Sequence, residues 1–130
     1  MKTFNKILKT DSSVDTFYKN YQRIEMSFPK LEEQITDGTF KIQSDPSSKE
    51  EFEALLVEAK SQLSKLSGVA KASIAYNKKH KEDGLSNLSP DSIEKLSFVL
   101  RSTKLELSNI DFAMEQVHAA LTFERFLKTC

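Results

Sequence analysis

The sequence predicts an all-α protein, an antiparallel three-helix bundle in which a long helical hairpin of coiled-coil type packs against a shorter helix. Apolar residues recur at alternating spacings of three and four along three segments, which is typical of helices that pack lengthwise. Only 3 Gly and 3 Pro occur in 130 residues, too few for the many tight turns of an all-β protein. This length suits one hydrophobic core, so we expect a single domain over residues 1–130.

The first predicted helix begins after Asp11–Ser13, a stretch of residues that can cap a helix N-terminus. Pro29 interrupts it, and because proline lacks a backbone donor and crowds the preceding turn, we expect a kink or break near Ser27–Phe28. The apolar row stays in phase across this point. It consists of Val14, Phe17, Tyr21, Ile24, Phe28, Leu31 and Ile35.

The pair Asp37-Gly38 is expected to end the first helix. The next five residues alternate between polar and apolar and could form a short extended segment, but no second strand is visible to pair with it. We therefore expect a loop that is held to the core by Phe40 and Ile42.

The second and third helices have clearer start signals. Ser48 and Glu51 have the spacing of a capping box, and Ser89-Pro90-Asp91 combines a capping hydroxyl, a proline at the first helical position and an acid in the first turn. The third helix should continue to about Lys128, a length of roughly 57 Å. The expected core rows are Phe52, Leu56, Ala59, Leu63, Leu66 and Ala70, and Ile93, Leu96, Leu100, Thr103, Leu107, Ile110, Met114, Val117 and Leu121.

A difference in length leaves part of this hairpin uncovered. A first helix of about 35 Å is shorter than a hairpin of about 50 Å, so the hairpin tip near Ile74–Val99 is expected to lie beyond it. Phe4, Ile7 and Leu8 have the spacing of one helical turn and could form a short fourth helix that caps the tip. The alternative is that the tip binds a partner.

The third helix carries a second apolar row, about 140° around the helix from the first. Phe98, Leu105, Phe112, Ala119 and Phe126 recur every seven residues. In one interpretation the bundle is flattened, with the other two helices on opposite sides of the third, and the row belongs to the core. In the other interpretation the row is an interface with a partner or a second copy, because exposed phenylalanines at this spacing would otherwise favour aggregation.

The charge balance argues against binding to nucleic acid and favours a protein partner. Lys plus Arg and Asp plus Glu number 19 each, so no overall field attracts the molecule to phosphates or to an anionic membrane. The leading hypothesis is a non-catalytic protein–protein interaction module, an adaptor, chaperone or inhibitor that forms a homodimer. Its expected contact residues are Phe98, Leu105, Phe112 and Phe126.

A second hypothesis is a nucleic-acid or polyanion binder that uses the basic second half of the second helix. The lysines are scattered around the helix, however, and also suit the negative end of its dipole. The candidate residues are Lys65, Lys71, Lys78, Lys79 and Lys81.

A third hypothesis, a metal-binding helical protein, depends on Glu115 and His118, which have the Glu-x-x-His spacing of di-iron bundles. Such sites need a second copy of this motif, and His80, the other histidine, has no Glu three residues before it. No nucleophile elbow or glycine-rich phosphate loop is present. We therefore expect no enzyme, no metal site and no cofactor.

Two features of the sequence indicate where in the cell the protein is expected. The longest apolar run, Ala54–Val57, is too short to cross a bilayer, and no apolar signal segment follows Met1, so we expect a cytoplasmic protein. Cys130 is the single cysteine and cannot form an intramolecular disulfide. It could cross-link two chains or remain a free terminal thiol.

Overall fold

The computed structural model describes residues 7–81, 84 and 88–129, with residues 120–129 described as helical backbone. Within this part of the chain the regular elements are helices and no strand is present. The helices are α1 (Asp11–Glu25), α2 (Phe28–Ser44), a short 3₁₀ helix (Pro46–Ser48), α3 (Lys49–Lys79) and α4 (Pro90–Thr129). The first leg of the bundle consists of α1 and α2, and α3 and α4 form the other two. The all-α bundle is therefore confirmed.

The break between α1 and α2 lies where Pro29 predicts it. Helix α1 ends at Glu25, and Pro29 is in the first turn of α2, where its missing N–H breaks no helical hydrogen bond. The Ser27 hydroxyl donates to the Ile24 carbonyl at 2.6 Å, which satisfies one of the acceptors left at the end of α1.

Gly38 does not end the first leg, and the loop predicted around Phe40 and Ile42 is wrong. Helix α2 continues through this segment to Ser44. The Phe52 ring of α3 packs so closely against Gly38 that a Cβ atom at this position would overlap it. Glycine is therefore required here because two helices approach closely, and not because the chain turns. Glycine more often follows the end of a helix, which is why the sequence predicted an end at this position.

The capping box predicted at Ser48 is also wrong, although α3 begins at the next residue as expected. The Ser48 hydroxyl donates to the Asp45 carbonyl at 2.8 Å and makes no side-chain cap to α3. The Asp45 carboxylate instead accepts from the Ser47 N–H at 3.2 Å, so Asp45 caps the 3₁₀ helix. The 3₁₀ turn therefore uses the Ser48 hydroxyl, which the capping box would need.

The N-terminal residues contact both legs of the hairpin near its tip, in the part of the tip that the structure describes, whereas the length argument left this region beyond the first helix. The Asp11 carboxylate accepts from the Ser89 N–H at 2.8 Å and from the Ser92 hydroxyl at 2.6 Å, so α1 begins beside the start of α4. The Leu8 N–H donates to the buried Ser73 hydroxyl of α3 at 2.8 Å. Residues 7–9 do not form the predicted fourth helix, and Phe4 lies outside the described residues.

The two long legs, α3 and α4, make the most extensive contact, and the first leg packs along them. Successive contacts from Asp15 to Lys95 and from Tyr21 to Ser102 show that the first leg runs parallel to α4. It therefore runs antiparallel to α3, which gives an up-down-up bundle. The core contains Leu8, Val14, Tyr21, Phe28, Ile42, Phe52, Leu56, Leu63, Leu66, Ala70, Leu96, Val99, Ile110, Ala113 and Val117.

Candidate protein-interaction surface

Helix α4 presents different environments on its two sides. Leu96, Ile110 and Val117 are buried against the other legs, as the first apolar row predicts. Leu105 and Phe112 belong to the second row and remain 65% and 63% exposed. Neither α1, α2 nor α3 covers them, so within one copy of the chain this part of the second row is surface rather than core.

Phe98 differs from the other members of the second row because it contacts the first leg. Its ring lies edge-on to the rings of Tyr18 and Tyr21, with centroid distances of 6.3 and 6.2 Å. This geometry is favourable for aromatic pairs, and it leaves Phe98 38% exposed. Phe98 is thus shared between the bundle and the surface, whereas the side chain of Phe126 lies outside the described residues.

Tyr21 anchors this aromatic cluster inside the bundle. The ring is fully buried, and its hydroxyl lies within hydrogen-bond distance of the Ser102 hydroxyl and of the Glu25 carboxylate, the latter at 3.1 Å. Burial raises the pKa of Tyr21 to about 12, because the phenolate would lose its hydration. The tyrosine therefore fixes α1 against α4 as a neutral hydrogen-bonding group.

A shallow groove between α2 and α4 extends the exposed apolar surface. Phe40 of α2 is 69% exposed and lies on one rim of the groove, across from Phe112 on the other. We call it the α2–α4 groove. Its lining consists of Glu32, Ile35, Thr36, Thr39, Phe40, Asn109, Phe112 and Ala113.

Glu106 is a buried acid beside this groove. It is only 5% exposed, and its Oε2 atom has no hydrogen-bond partner. Burial, together with the neighbouring carboxylate of Glu32, raises the pKa of Glu106 to about 7. A carboxyl group with a pKa near neutrality is common at functional sites, but such a pKa also arises from packing alone.

Between residues 101 and 115 the exposed charges on the outer side of α4 change sign along the helix. Arg101 and Lys104 are exposed in the first half, and Asp111 and Glu115 are exposed in the second. Asp111 is joined to Lys60 of α3 by an ion pair of 2.9 Å. Together with the two exposed apolar residues these side chains form a surface that we call the α4 outer face. It consists of Arg101, Lys104, Leu105, Ser108, Asp111, Phe112 and Glu115.

The lysines of the polyanion hypothesis are exposed but do not share one face. Lys71 and Lys78 are seven residues apart and lie on one side of α3. Lys65 is about 120° away from them around the helix, and Lys81 follows the end of α3. Their arrangement offers no continuous basic track, so the geometry favours the α4 outer face as the candidate site.

The metal hypothesis finds no support in the arrangement of ligands. Glu115 and His118 lie around a shallow groove with Lys60 and Asp111. Within residues 7–81, 84 and the described side chains of α4, no group of three or more His, Cys, Asp or Glu residues is placed to hold a metal ion. The described helices also include none that is long and apolar enough to cross a membrane.

Comparison of the chain with protein-family models, with curated protein sequences and with solved structures finds no match. Functional inference therefore depends on the surface itself. The sequence predicted Leu105 and Phe112 as contact residues. It did not indicate Phe40, which was expected in a loop, or Glu106. A signal for Glu106 was available, since it lies seven residues from both Val99 and Ala113 and so shares their buried row.

Proposed function

We propose that this protein is a non-catalytic interaction module that forms a homodimer through the α4 outer face. The observation that carries the proposal is the exposure of Leu105 and Phe112 on an otherwise well-packed helix. Single exposed apolar residues are normal on protein surfaces. Two large ones in one helical row, with Phe40 beside them, form a larger apolar patch of the kind that partners cover.

The shape of the surface supports a helical partner. From Phe98 to Ala119 the helix extends about 33 Å, enough for two helices to pack side by side in a coiled-coil-like contact. Aromatic and leucine side chains at the centre with charges at the edge are the usual composition of such interfaces. Ser108 lies between the two apolar residues along the helix, and a small residue there allows two helices to approach closely.

The test is the mass of the native chain and of two double variants, measured by light scattering with reductant over a range of concentrations. The native chain should be a dimer, and Leu105→Ser with Phe112→Ser should be a folded monomer, because both side chains are exposed and their loss leaves the core intact. The matched control is Met26→Ser with Val57→Ser, which removes two apolar residues that are 83% and 52% exposed elsewhere.

The control variant should remain a dimer. A native chain that is monomeric at every concentration would contradict the proposal, and so would a dimer that survives the loss of both Leu105 and Phe112. Circular dichroism of each variant establishes that the helices are intact. A loss of helicity in the outer-face variant would also count against the proposal, since it would place these residues in the core.

A further inference from the structure

The charges of the α4 outer face are arranged symmetrically about one residue. Arg101 and Glu115 each lie seven positions from Ser108, and Lys104 and Asp111 lie four and three positions from it. Within the α4 outer face the basic residues are on one side of this midpoint and the acidic residues on the other, and Glu94, an exposed acid of the same heptad row, lies one heptad before Arg101. Between Phe98 and Ala119, Glu106 is the remaining Lys, Arg, Asp or Glu side chain, and it is buried.

The three residues Arg101, Ser108 and Glu115 form one heptad row and therefore lie on one line along the helix. When two identical helices pack antiparallel, a given flank of one helix faces the same flank of the other. A two-fold axis at Ser108 would then bring Arg101 opposite the partner's Glu115. It would bring Lys104 close to the partner's Asp111 in the same way.

The apolar residues have the same symmetry. The midpoint between Leu105 and Phe112 is half a residue from Ser108, so the same axis places Leu105 against the partner's Phe112. Each two-fold contact occurs twice, which gives two Leu–Phe contacts at the centre and opposite charges at the edges. This is the self-complementary arrangement that a two-fold interface requires.

A parallel arrangement in register does not match these charges. It would place Arg101 and Lys104 of one copy next to the same basic residues of the other, and the acidic residues next to each other. Like charges across a helix interface are destabilising. The charge pattern therefore distinguishes the two orientations.

We propose that the occupant of the α4 outer face is a second copy of this chain, packed antiparallel with its two-fold axis at Ser108. The inference rests on the proposed function and adds the orientation and register of the pair. Asp111 already pairs with Lys60 of α3, so the partner's Lys104 joins an existing charge pair. Arg101 and Glu115 carry the specificity.

The first test is charge reversal, with the dimer dissociation constant measured by sedimentation equilibrium. Arg101→Glu and Glu115→Arg should each weaken the dimer at least about tenfold, because each introduces two contacts between like charges. The double variant restores opposite charges and should return to within about threefold of the native value. Lys78→Glu, a charge reversal on an exposed residue of α3, should change the dissociation constant little.

The second test uses disulfide cross-linking in a Cys130→Ser background. Ser108→Cys should cross-link two copies on oxidation, because residue 108 meets itself at the axis. Ser97→Cys should not, because its two copies would be separated by about 33 Å along the helices. These two serine replacements are chemically matched.

The outcomes separate this inference from the proposed function. A chain that is monomeric at all concentrations overturns both. A dimer that depends on Leu105 and Phe112, yet cross-links as readily through Ser97→Cys as through Ser108→Cys, overturns the antiparallel arrangement alone. A dimer in which the double charge reversal remains as weak as the single reversals also overturns it.

Discussion

Leu105 and Glu106 are neighbours in the sequence, and each lies in the environment that usually suits the other. The leucine is 65% exposed on the α4 outer face, and the glutamate is 5% exposed against the bundle. Their positions follow from the heptad rows, because Glu106 shares the row of Val99 and Ala113 while Leu105 shares the row of Phe112. Position in the heptad, rather than residue type, therefore decides which of these two side chains is buried.

The inner side of α4 should therefore contribute far more to the stability of one chain than the outer side. The largest loss of stability is expected for Ile110→Ala, which removes a fully buried side chain. This substitution should lower the free energy of unfolding by about 2–5 kcal/mol. Urea denaturation followed by circular dichroism measures the effect. A loss as small as that of an exposed residue would remove the distinction between the two sides.

Gly38→Ala tests how closely α3 packs on the first leg. A methyl group at this position meets the Phe52 ring, so we expect a loss of about 1–3 kcal/mol in the free energy of unfolding. In a Phe52→Ala background the same change should be stabilising, because alanine favours helix by about 1 kcal/mol over glycine. If both backgrounds respond alike to the substitution, the contact between Gly38 and Phe52 has no energetic role.

Glu106→Gln tests the buried acid. Its pKa is raised from 4.5 to about 7, so between these pH values the unfolded chain releases a proton that the folded chain retains. Stability from this group is therefore lost as the pH rises through this window. At pH 8 the glutamine variant should be more stable than the native chain by about 1–2 kcal/mol, and below pH 4.5 the advantage should vanish.

Denaturation of both chains between pH 4 and 8 measures this difference. Glu94→Gln is the control, since Glu94 is exposed on the same helix and lies outside the α4 outer face, and this variant should not show the gain in stability at pH 8. Acids whose pKa is lowered, such as Asp11 with its hydrogen bonds from Ser89 and Ser92, act with the opposite sign at lower pH. An unchanged slope in Glu106→Gln would show that this acid is not the origin of the effect.

The smallest effect on the single chain is expected on the outer side. Leu105→Ala at a concentration where the protein is monomeric should change the free energy of unfolding by less than about 0.5 kcal/mol. The same denaturation experiment at high concentration should show a larger difference, because dimerisation stabilises the native chain by mass action. A large effect at the low concentration would mean that Leu105 is packed within one chain.

Much of the fold follows from sequence patterns with a local physical cause. The start of α4 at Pro90 depends on the Ser89 hydroxyl, which accepts from the Ser92 N–H at 3.2 Å as a capping residue should. The rows of seven-residue spacing located much of the core, but Val99 and Ala113 of α4 are buried outside the predicted row, and the side chain of Leu121 lies outside the described residues. The helix break before Pro29 likewise follows from one residue and its missing donor.

The failures arise where another contact competes with the local signal. Gly38 ends no helix because Phe52, fourteen residues later, packs against it. Ser48 and Glu51 have the right spacing for a capping box, yet Asp45 holds the chain in a 3₁₀ turn first. Local signals cannot show which neighbour will occupy a position.

The candidate site was predictable only in part for a similar reason. The sequence shows two apolar rows on α4 but contains no local signal for which row the other legs cover. Leu105 and Phe112 are exposed, while Phe98 in the same row contacts two tyrosines of α1. Whether the single domain expected over residues 1–130 unfolds in one transition stays a prediction that the denaturation experiments will also test.

The central claim is that the exposed row of α4 meets the same row of a second copy. The most direct measurement is an isotope-filtered NMR experiment on a mixture of chains labelled at leucine methyl groups and chains labelled only at phenylalanine rings. The account predicts a nuclear Overhauser effect between the Leu105 methyl groups of one chain and the Phe112 ring of another. Absence of this intermolecular signal, with Leu105 resonances that do not change with concentration, would contradict it.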